Sequence, residues 1–424
     1  ASLLARFLKA NARLARRIKL YEGALDDTAV IAHAFRPPVQ ELMPLLGVGN
    51  EDAYVGRNRW LFFSQGVRAV TGPGFLDPAQ LRRRARSGDV AIQPDPRKAI
   101  IHFRDQLAER GIELIVVPTP SKASIHPEHL TSRTEGSAPV RNRSFPVLIA
   151  ELRTAGVSIY APAPLLAQYK RHGQSYLRTD THWTPGAMEA VATHIAEDCM
   201  SILPFVERPD WTSAQYAVTS LGDIGRMLKP PVWRRPLDEE STMLSTVHGS
   251  DGPGMSPDPR AELLLLGDSF SNIYSLEAMG WGTHGGFAEH LAYSLGRPVD
   301  RLARNDDGAY ASRQMLVDAL KRDPGRLDGK KLVIWQFAER ELAFGDWKLL
   351  DLPQAKAPSK TATTTTTQLK GLAQTDSIVV QGKDGWLFLT SELRLLGHGP
   401  FWGEQAESEE TDPLHSITDL NNRL

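Results

Sequence analysis

The sequence predicts an α/β fold in which a parallel sheet has helices on both faces. Four leucines, residues 263 to 266, are followed by Gly267, Asp268 and Ser269, a pattern typical of a strand buried on both faces that ends abruptly. From residue 95 onward, apolar runs of strand length alternate with segments of helical periodicity. Such alternation indicates parallel strands joined by helical crossovers.

Composition excludes several classes of protein. The 424 residues contain 49 basic and 50 acidic side chains, a net charge of -1, so no global charge favours nucleic acid as a partner. The apolar runs are too short to cross a bilayer, and we therefore expect this segment of the protein to be soluble. The single cysteine, Cys199, excludes an internal disulfide and a thiolate metal cluster.

The N-terminal region, residues 1–50, is predicted to be helical. Leucines at helical spacing alternate with basic residues between Arg6 and Lys19, which favours a basic amphipathic helix. Two interpretations stay open: a helix packed on its own domain, or one that touches a membrane surface. The chain begins with Ala1, and we expect an initiator, a signal peptide or an anchor to have been removed.

The domain at residues 51–350 is predicted to hold the parallel sheet. A hairpin turns at Gly56 and continues into an aromatic strand with Trp60. The arginines from Arg82 to Arg86 form a basic cluster, either a solvated helix face or a contact for a polyanion. Residues 205 to 260, rich in Pro, Arg and Ser, are predicted to form an irregular insertion that lines a groove. Strands are expected at 113–117, 157–160, 263–266, 299–303 and 331–337, and helices from Pro96, from Phe145, from Pro185 with Thr184 as N-cap, after Ser269 through Leu276, and at 313–320.

The C-terminal part repeats the start of this domain. Residues 351–375, with an unbroken threonine run, are predicted to be a flexible linker. Residues 376–424 then repeat the pattern of Gly56 and Trp60 at Gly382 and Trp386. We interpret this segment as the start of a second, similar module, while two unrelated hairpins remain the alternative.

Two segments contain candidate catalytic residues. Ser269 stands at the end of a buried strand, where open α/β sheets place their reactive groups, but a serine nucleophile needs an adjacent base. Asp180 and His182 supply a carboxylate and an imidazole two residues apart, which an extended segment would direct to the same face. The alternative is that Asp180 caps the next helix and His182 merely packs nearby.

The motifs Gly-Asp-Ser at 267–269 and Asp-Thr-His-Trp at 180–183 together resemble those of the SGNH-fold alginate O-acetylation proteins, the AlgJ and AlgX type. The resemblance extends over residues 30 to 345 and includes the Gly-x-x-x-Trp-Leu-Phe hairpin and Pro-Thr-Pro-Ser-Lys at 118–122. It implies that an acetyl group is carried on Ser269, with His182 as general base and Asp180 as its orienting partner.

The remaining site predictions concern binding groups. The backbone N–H of Ser269 is the first expected oxyanion donor, and Asn305 is a second candidate, although an asparagine there is also typical of a turn. Lys122, Arg178 and Arg313 are predicted to contact an anionic substrate. We predict no metal, because the histidines and the cysteine lack ligand spacing, and no cofactor, because phosphate-binding glycine loops are absent.

The resulting prediction is an O-acetyltransferase that modifies an anionic exopolysaccharide such as alginate in the periplasm. The resemblance implies a membrane-bound acyltransferase as acetyl donor, other polysaccharide secretion proteins as partners, and inner-membrane association through an absent N-terminal segment. Two alternatives remain: a carbohydrate acetylesterase with the same Ser-His-Asp triad, and a non-catalytic subunit of a secretion complex. The esterase differs from the transferase in that water, rather than a sugar hydroxyl, accepts the acyl group. How well the site excludes water is not visible in the sequence.

Overall fold

A computed structural model describes residues 49–86, 92–132, 138–208, 210–228, 239–249, 252–305, 308–353, 377–382 and 385–390. The predicted N-terminal helical region and the threonine-rich linker lie outside these residues, apart from 49–50 and 351–353. Across the described ranges, no helix has both the length and the apolar character needed to cross a membrane.

Within the described residues, the strands form four sheets. The hairpin β1–β2, the three-stranded sheet β5–β6–β7 and the hairpin β11–β12 are antiparallel, whereas the five-stranded sheet is parallel throughout. The strands are β1 (Ala53–Val55), β2 (Leu61–Phe63), β3 (Glu113–Thr119), β4 (Ser158–Ile159), β5 (Thr212–Ser220), β6 (Glu240–Gly249), β7 (Gly252–Pro253), β8 (Leu263–Gly267), β9 (Val299–Ala303), β10 (Leu332–Ala338), β11 (Ser377–Gly382) and β12 (Gly385–Thr390).

The helices lie mostly between the strands of the parallel sheet. Proline occupies the first helical position in several of them, since its fixed φ suits a helix start and its missing N–H is not needed there. The helices are α1 (Ser64–Thr71), α2 (Pro78–Arg86), α3 (Pro96–Ala108), α4 (Lys122–Ile125), α5 (Pro127–Leu130), α6 (Phe145–Thr154), α7 (Ala163–Tyr169), α8 (Pro185–Cys199), α9 (Asp223–Met227), α10 (Ser269–Asn272), α11 (Phe287–Leu295), α12 (Gly308–Arg322) and α13 (Glu341–Phe344).

The parallel sheet has the strand order β4-β3-β10-β8-β9. Its central strand, β10, is the last of these five strands in the sequence. Alternate leucines of β8 enter different apolar clusters: Leu263 and Leu265 pack on one face, Leu264 and Leu266 on the other. Burial of each leucine contributes about 2 kcal/mol. Helices α8 and α11 cover the first face, and α3, α6 and α12 cover the second. The predicted α/β architecture is therefore confirmed.

The interpretation of residues 205 to 260 as irregular is wrong for much of that segment. Strands β5 and β6 pair over nine residue pairs, from Thr212 opposite His248 to Ser220 opposite Glu240. Nearly every side chain of β5 is exposed, so no alternation of apolar and polar residues identified the strand in the sequence. Strand β5 is stabilised by its backbone pairing with β6, which is distant in the sequence. A local sequence pattern does not reveal such pairing.

The chain separates into two compact units, Ala1–Ala357 and Pro358–Leu424. Within the second unit, β11 and β12 form an antiparallel hairpin with Val379 opposite Phe388. The repeated sequence pattern thus coincides with a hairpin in each unit, β1–β2 in the first. The domain boundaries and the second-module interpretation remain predictions, since residues 391–424 lie outside the description.

Candidate active site

The carboxyl ends of β3, β8 and β10 are joined by a buried hydrogen-bond network around Asp268. Its Oδ2 accepts the N–H of Ala338 at 2.7 Å, and its Oδ1 accepts the N–H of Phe270 at 2.9 Å. Gln336 lies between the strands and donates Nε2 to Asp268 Oδ1 at 3.0 Å and to Thr119 Oγ1 at 3.1 Å. The network fixes the backbone immediately before Ser269, so the position of that residue is set by three strands.

The segment that contains Asp180 and His182 is a tight loop rather than the expected extended segment. Asp180 Oδ1 accepts both the backbone N–H of His182 at 3.1 Å and its Nδ1–H at 2.6 Å. The first bond is an Asx turn, in which an aspartate oxygen binds the N–H two residues ahead. Asp180 does not cap the next helix, which begins after Thr184, so the turn pairs the carboxylate with the imidazole.

Asp180 is a buried carboxylate with four hydrogen-bond donors. Its Oδ2 accepts the N–H of Asp223 at 2.9 Å and Nε1–H of Trp281 at 2.8 Å. Burial opposes its charge, but the charge of His182 and these hydrogen bonds outweigh burial and hold the pKa of Asp180 well below its usual range. The carboxylate therefore stays ionised beside the imidazole.

The environment of His182 leaves its second ring nitrogen available. The imidazole is buried and packs edge-on against the Phe270 ring at a centroid distance of 4.7 Å. Trp183 Nε1 donates to the Phe270 carbonyl at 3.2 Å, which ties the two loops together. His182 Nε2 is buried without a hydrogen-bond partner, and the Ser269 hydroxyl is not hydrogen-bonded to it in this structure. Hydrogen bonds between catalytic groups are often long or poorly aligned in structures without substrate, and they shorten when substrate binds.

One oxyanion candidate begins α10, and the other contacts that helix. Ser269 is the first residue of α10, so its backbone N–H has no intrahelical acceptor. Asn305 contacts this helix: its Oδ1 accepts from Asn272 Nδ2 at 2.8 Å, while its own Nδ2 lies 3.2 Å from Met279 Sδ. Its amide nitrogen therefore contacts a thioether, which is a weak acceptor, and the oxyanion role of Asn305 remains a prediction.

Lys122 does not have the placement expected of a substrate ligand. The residue is 3% exposed, and its ammonium donates to the carbonyls of Leu61 at 2.7 Å and of Arg178 at 3.1 Å. Burial lowers its pKa to about 8, opposed by the charges of Asp180, Asp223 and Glu240. Lys122 thus joins the β1–β2 hairpin to the loop that holds the predicted base.

Arg313 also departs from the predicted substrate contact. Its side chain is 1% exposed and lies with Cζ 5.2 Å from the Trp335 ring centroid and 5.8 Å from that of Trp347. The guanidinium donates to the carbonyl of Lys348 at 3.1 Å. Because protein encloses it on the helix-covered face of the sheet, we assign Arg313 a packing role and withdraw the expectation of substrate contact.

Arg178 stays close to the predicted site and is half-buried. Its backbone N–H donates to Glu240 Oε1 at 2.8 Å, and Glu240 Oε2 accepts the N–H of Thr179 at 3.0 Å. Its Nε is buried without a hydrogen-bond partner. Glu240, which begins β6, therefore anchors the loop just before Asp180. The predicted substrate contact of Arg178 remains a prediction.

Two groups of histidines and carboxylates are close enough to share an ion, within the described residues. In the group of Asp180, His182 and Asp223, the Asp180 oxygens already accept four N–H bonds. In the second group, Glu128 Oε1 pairs with Lys170 Nζ at 2.9 Å beside His126 and His129. In both groups a carboxylate thus already binds protein donors. The expected absence of a metal remains a prediction.

Comparison with known proteins assigns this chain to a family. A family model described as "SGNH hydrolase-like domain, acetyltransferase AlgX" matches residues 53–339, more than half of the chain. The chain belongs to this family. The predicted resemblance is thus confirmed, and the chain is an acetyltransferase of the SGNH hydrolase-like type.

Relatives of the family carry consistent names. A "Probable alginate O-acetylase AlgJ" of Pseudomonas fluorescens is 25% identical over 311 residues, which cover 70% of each chain. The AlgJ of Pseudomonas aeruginosa is 25% identical over 343 residues, covering 76% of this chain and 83% of the relative. Among solved structures, the O-acetyltransferase domain of Pseudomonas putida AlgJ superimposes with a TM-score of 0.52 at 22% identity, covering 69% of this chain and 93% of that one. This structural likeness shows the fold.

Sequence reasoning missed several residues that support the SGNH site. Gln336 had a detectable signal, because it is the one amide within the apolar run 332–338. Trp281, Asp223 and Glu240 had none: each is far from Asp180 and His182 in the sequence, and Asp223 and Glu240 fall in the segment interpreted as irregular. The contacts of Asp223 and Glu240 arise only when β5 and β6 fold beside the loop.

The pH dependence of activity tests the electrostatics of this site. Burial favours a neutral imidazole, but the charge and hydrogen bond of Asp180 outweigh burial, and the pKa of His182 is raised above its usual 6.5. A general base must be neutral, so kcat/KM for a neutral aryl acetyl ester should fall as the pH is lowered through a midpoint above 6.5. A pH profile of ester hydrolysis measures this midpoint.

A variant separates the contribution of the nearby carboxylates. Asp223 also raises the pKa of His182, so Asp223→Asn should move the midpoint to lower pH. Asp351→Asn is the matched control, since that side chain is 92% exposed and pairs with His102. A wild-type midpoint at or below the ordinary histidine value would contradict the assignment of His182 as base.

Proposed function

We propose that this chain transfers an acetyl group, through an acyl-enzyme on Ser269, to a hydroxyl of an anionic exopolysaccharide such as alginate. The observation that supports this most strongly is the Asp180–His182 pair, whose Nε2 has no partner and lies next to the loop of Ser269. The names of the AlgJ and AlgX relatives supply the substrate.

The proposed reaction has two steps. In the first, Ser269 Oγ attacks the carbonyl carbon of an acetyl ester, His182 Nε2 takes the hydroxyl proton, and that proton passes to the leaving oxygen. In the second, a sugar hydroxyl gives its proton to Nε2 and attacks the acyl carbon, and Ser269 leaves with the proton. Asp180 holds the imidazole in the tautomer with Nδ1 protonated throughout.

Both steps pass through a tetrahedral oxyanion. The N–H of Ser269 is the first proposed donor, and Asn305 the second. One such donor stabilises the transition state by about 3 to 4 kcal/mol. In this proposal, Asn305 Nδ2 exchanges its contact with Met279 for the oxyanion.

The proposed cellular setting follows from the family rather than from the site. We propose that the chain acts in the periplasm, that a membrane-bound acyltransferase supplies the acetyl group, and that other polysaccharide secretion proteins are partners. Association with the inner membrane through a further N-terminal segment belongs to the same proposal. The N-terminal segment and the partners named in this proposal lie outside the described residues.

Transfer can be measured directly. The purified chain, incubated with an aryl acetyl ester and a mannuronate oligomer, is expected to yield oligomer carrying added acetyl groups by mass spectrometry. The same mixture without protein is the control. Release of acetate with no acetylated oligomer would instead favour the esterase. Failure to form either product with any acetyl ester would favour the non-catalytic subunit.

A further inference from the structure

Arg340 places a guanidinium at the carboxyl end of the central strand. It follows β10 by two residues, next to Ala338, whose N–H binds Asp268. Its Cζ lies 5.3 Å from the Phe63 ring centroid. The side chain is 15% exposed, and Nε is 4.0 Å from Glu341 Oε1, beyond hydrogen-bonding distance. Within the described chain, Arg340 donates no side-chain hydrogen bond, so its fork of donors stays open.

The guanidinium borders a crevice beside the predicted base. The crevice is lined by Phe62, Phe63, Ser121, Thr181 and Arg340, among others. Thr181 lies between Asp180 and His182, is 8% exposed, and its Oγ1 is buried without a hydrogen-bond partner. Two polar groups with unused hydrogen-bonding capacity therefore line one small opening beside the loop that carries His182.

The other charged residue that lines this crevice, and the two aspartates beside it, are occupied. Lys122 donates to two backbone carbonyls. Asp180 accepts four N–H bonds, and Asp223 accepts the N–H groups of Thr181 and Ile224, both at 2.7 Å. Among the residues described here, Arg340 is thus the charged side chain that faces the crevice with its donors unused. Its positive charge opposes the rise in the pKa of His182.

We propose that Arg340 and Thr181 form a subsite for the carboxylate of a uronate acceptor. A planar guanidinium matches a carboxylate with two parallel hydrogen bonds, and the Phe63 ring keeps its plane in place. Every uronate unit carries a carboxylate at a constant distance from its hydroxyls, so holding that group orients one hydroxyl toward the acyl carbon. This subsite rests on the proposed function and names the acceptor class that the site selects.

The kinetic test compares two substrates. Arg340→Gln should raise KM for transfer to a mannuronate oligomer roughly 10- to 100-fold, the effect of losing a charge-assisted hydrogen bond. The loss on hydrolysis of a neutral aryl acetyl ester should be several-fold smaller. Arg340→Lys should recover part of the affinity, because it keeps the charge but not the fork. Arg260→Gln is the matched control, since its side chain is 91% exposed and pairs with Asp258.

A binding measurement separates this subsite from the proposed reaction. Calorimetric titration of the mannuronate oligomer into Ser269→Ala, with and without Arg340→Gln, should show at least a roughly tenfold weaker Kd for the double variant. That result supports the subsite even if wild-type protein transfers no acetyl group. Equal losses of activity on the oligomer and on the aryl ester, or an unchanged KM for the oligomer, would overturn the subsite. So would an unchanged Kd in the Arg340→Gln variant, provided that its Tm equals that of the wild type.

Discussion

Ser269→Ala is expected to abolish acetyl transfer and ester hydrolysis while leaving the fold intact. Loss of a serine nucleophile from a Ser-His-Asp site lowers kcat by about 10⁴-fold or more. Among the described residues, the Ser269 hydroxyl forms no hydrogen bond, so its removal should change the free energy of unfolding by less than about 0.5 kcal/mol. Steady-state hydrolysis of an aryl acetyl ester and urea denaturation measure the two quantities.

Ser271→Ala is the matched control for this variant. Ser271 lies in the same helix, and its hydroxyl donates to Gln336 Oε1 at 2.6 Å. Its loss should cost about 1 kcal/mol of stability and leave most of the activity. If Ser269→Ala kept more than a few per cent of wild-type activity, or if Ser271→Ala were the inactive variant, the nucleophile assignment would be wrong.

Asp180→Asn is expected to reduce both activity and stability. An asparagine has one acceptor oxygen, so its NH₂ group would face one of the two pairs of donors that now bind Asp180. The imidazole would lose its counter-charge and its orientation, and activity should fall about 10⁴-fold. Loss of buried charged hydrogen bonds should cost about 3 kcal/mol. Ester hydrolysis and denaturant unfolding report these changes separately.

Asp300→Asn controls for loss of a buried carboxylate elsewhere. Asp300 is 1% exposed and pairs with Arg326 and with Lys330 at 3.1 Å. It stands at the amino end of β9, whereas Ser269 follows the carboxyl end of β8. We expect comparable destabilisation with normal activity of the folded fraction. Retained activity in Asp180→Asn would show that the carboxylate is structural.

Local pattern predicted the strands well. The run of leucines at 263 to 266 is strand β8, and the expected strands at 113–117, 299–303 and 331–337 are found with ends shifted by at most two residues. Helices cover both faces of this sheet, so most residues of these strands are apolar and the signal is nearly continuous. The polar exceptions include Glu113, Asp300 and Gln336. Strand β5 was missed because its exposed side chains obey no such constraint.

The candidate site was predictable only where its contacts are short in sequence or end a buried strand. Asp180 and His182 interact two residues apart, so their spacing carried the information. Lys122 and Arg313 were assigned to substrate by charge, and the fold instead buries one under backbone carbonyls and the other between tryptophans. The charge of a residue does not show whether its side chain points into the protein or into solvent, because a long side chain can reach either.

The sequence by itself determined the α/β class, the family resemblance and the three residues proposed for catalysis. The tertiary structure decided what surrounds them: Trp281 and Asp223 on the second oxygen of Asp180, Gln336 on Asp268 just before Ser269, and Arg340 at the crevice. The physical reason is the range of each interaction. A turn or a buried strand is encoded by neighbours, whereas a hydrogen bond between residues 101 apart, as between Trp281 and Asp180, exists only once the sheet brings its strand ends together.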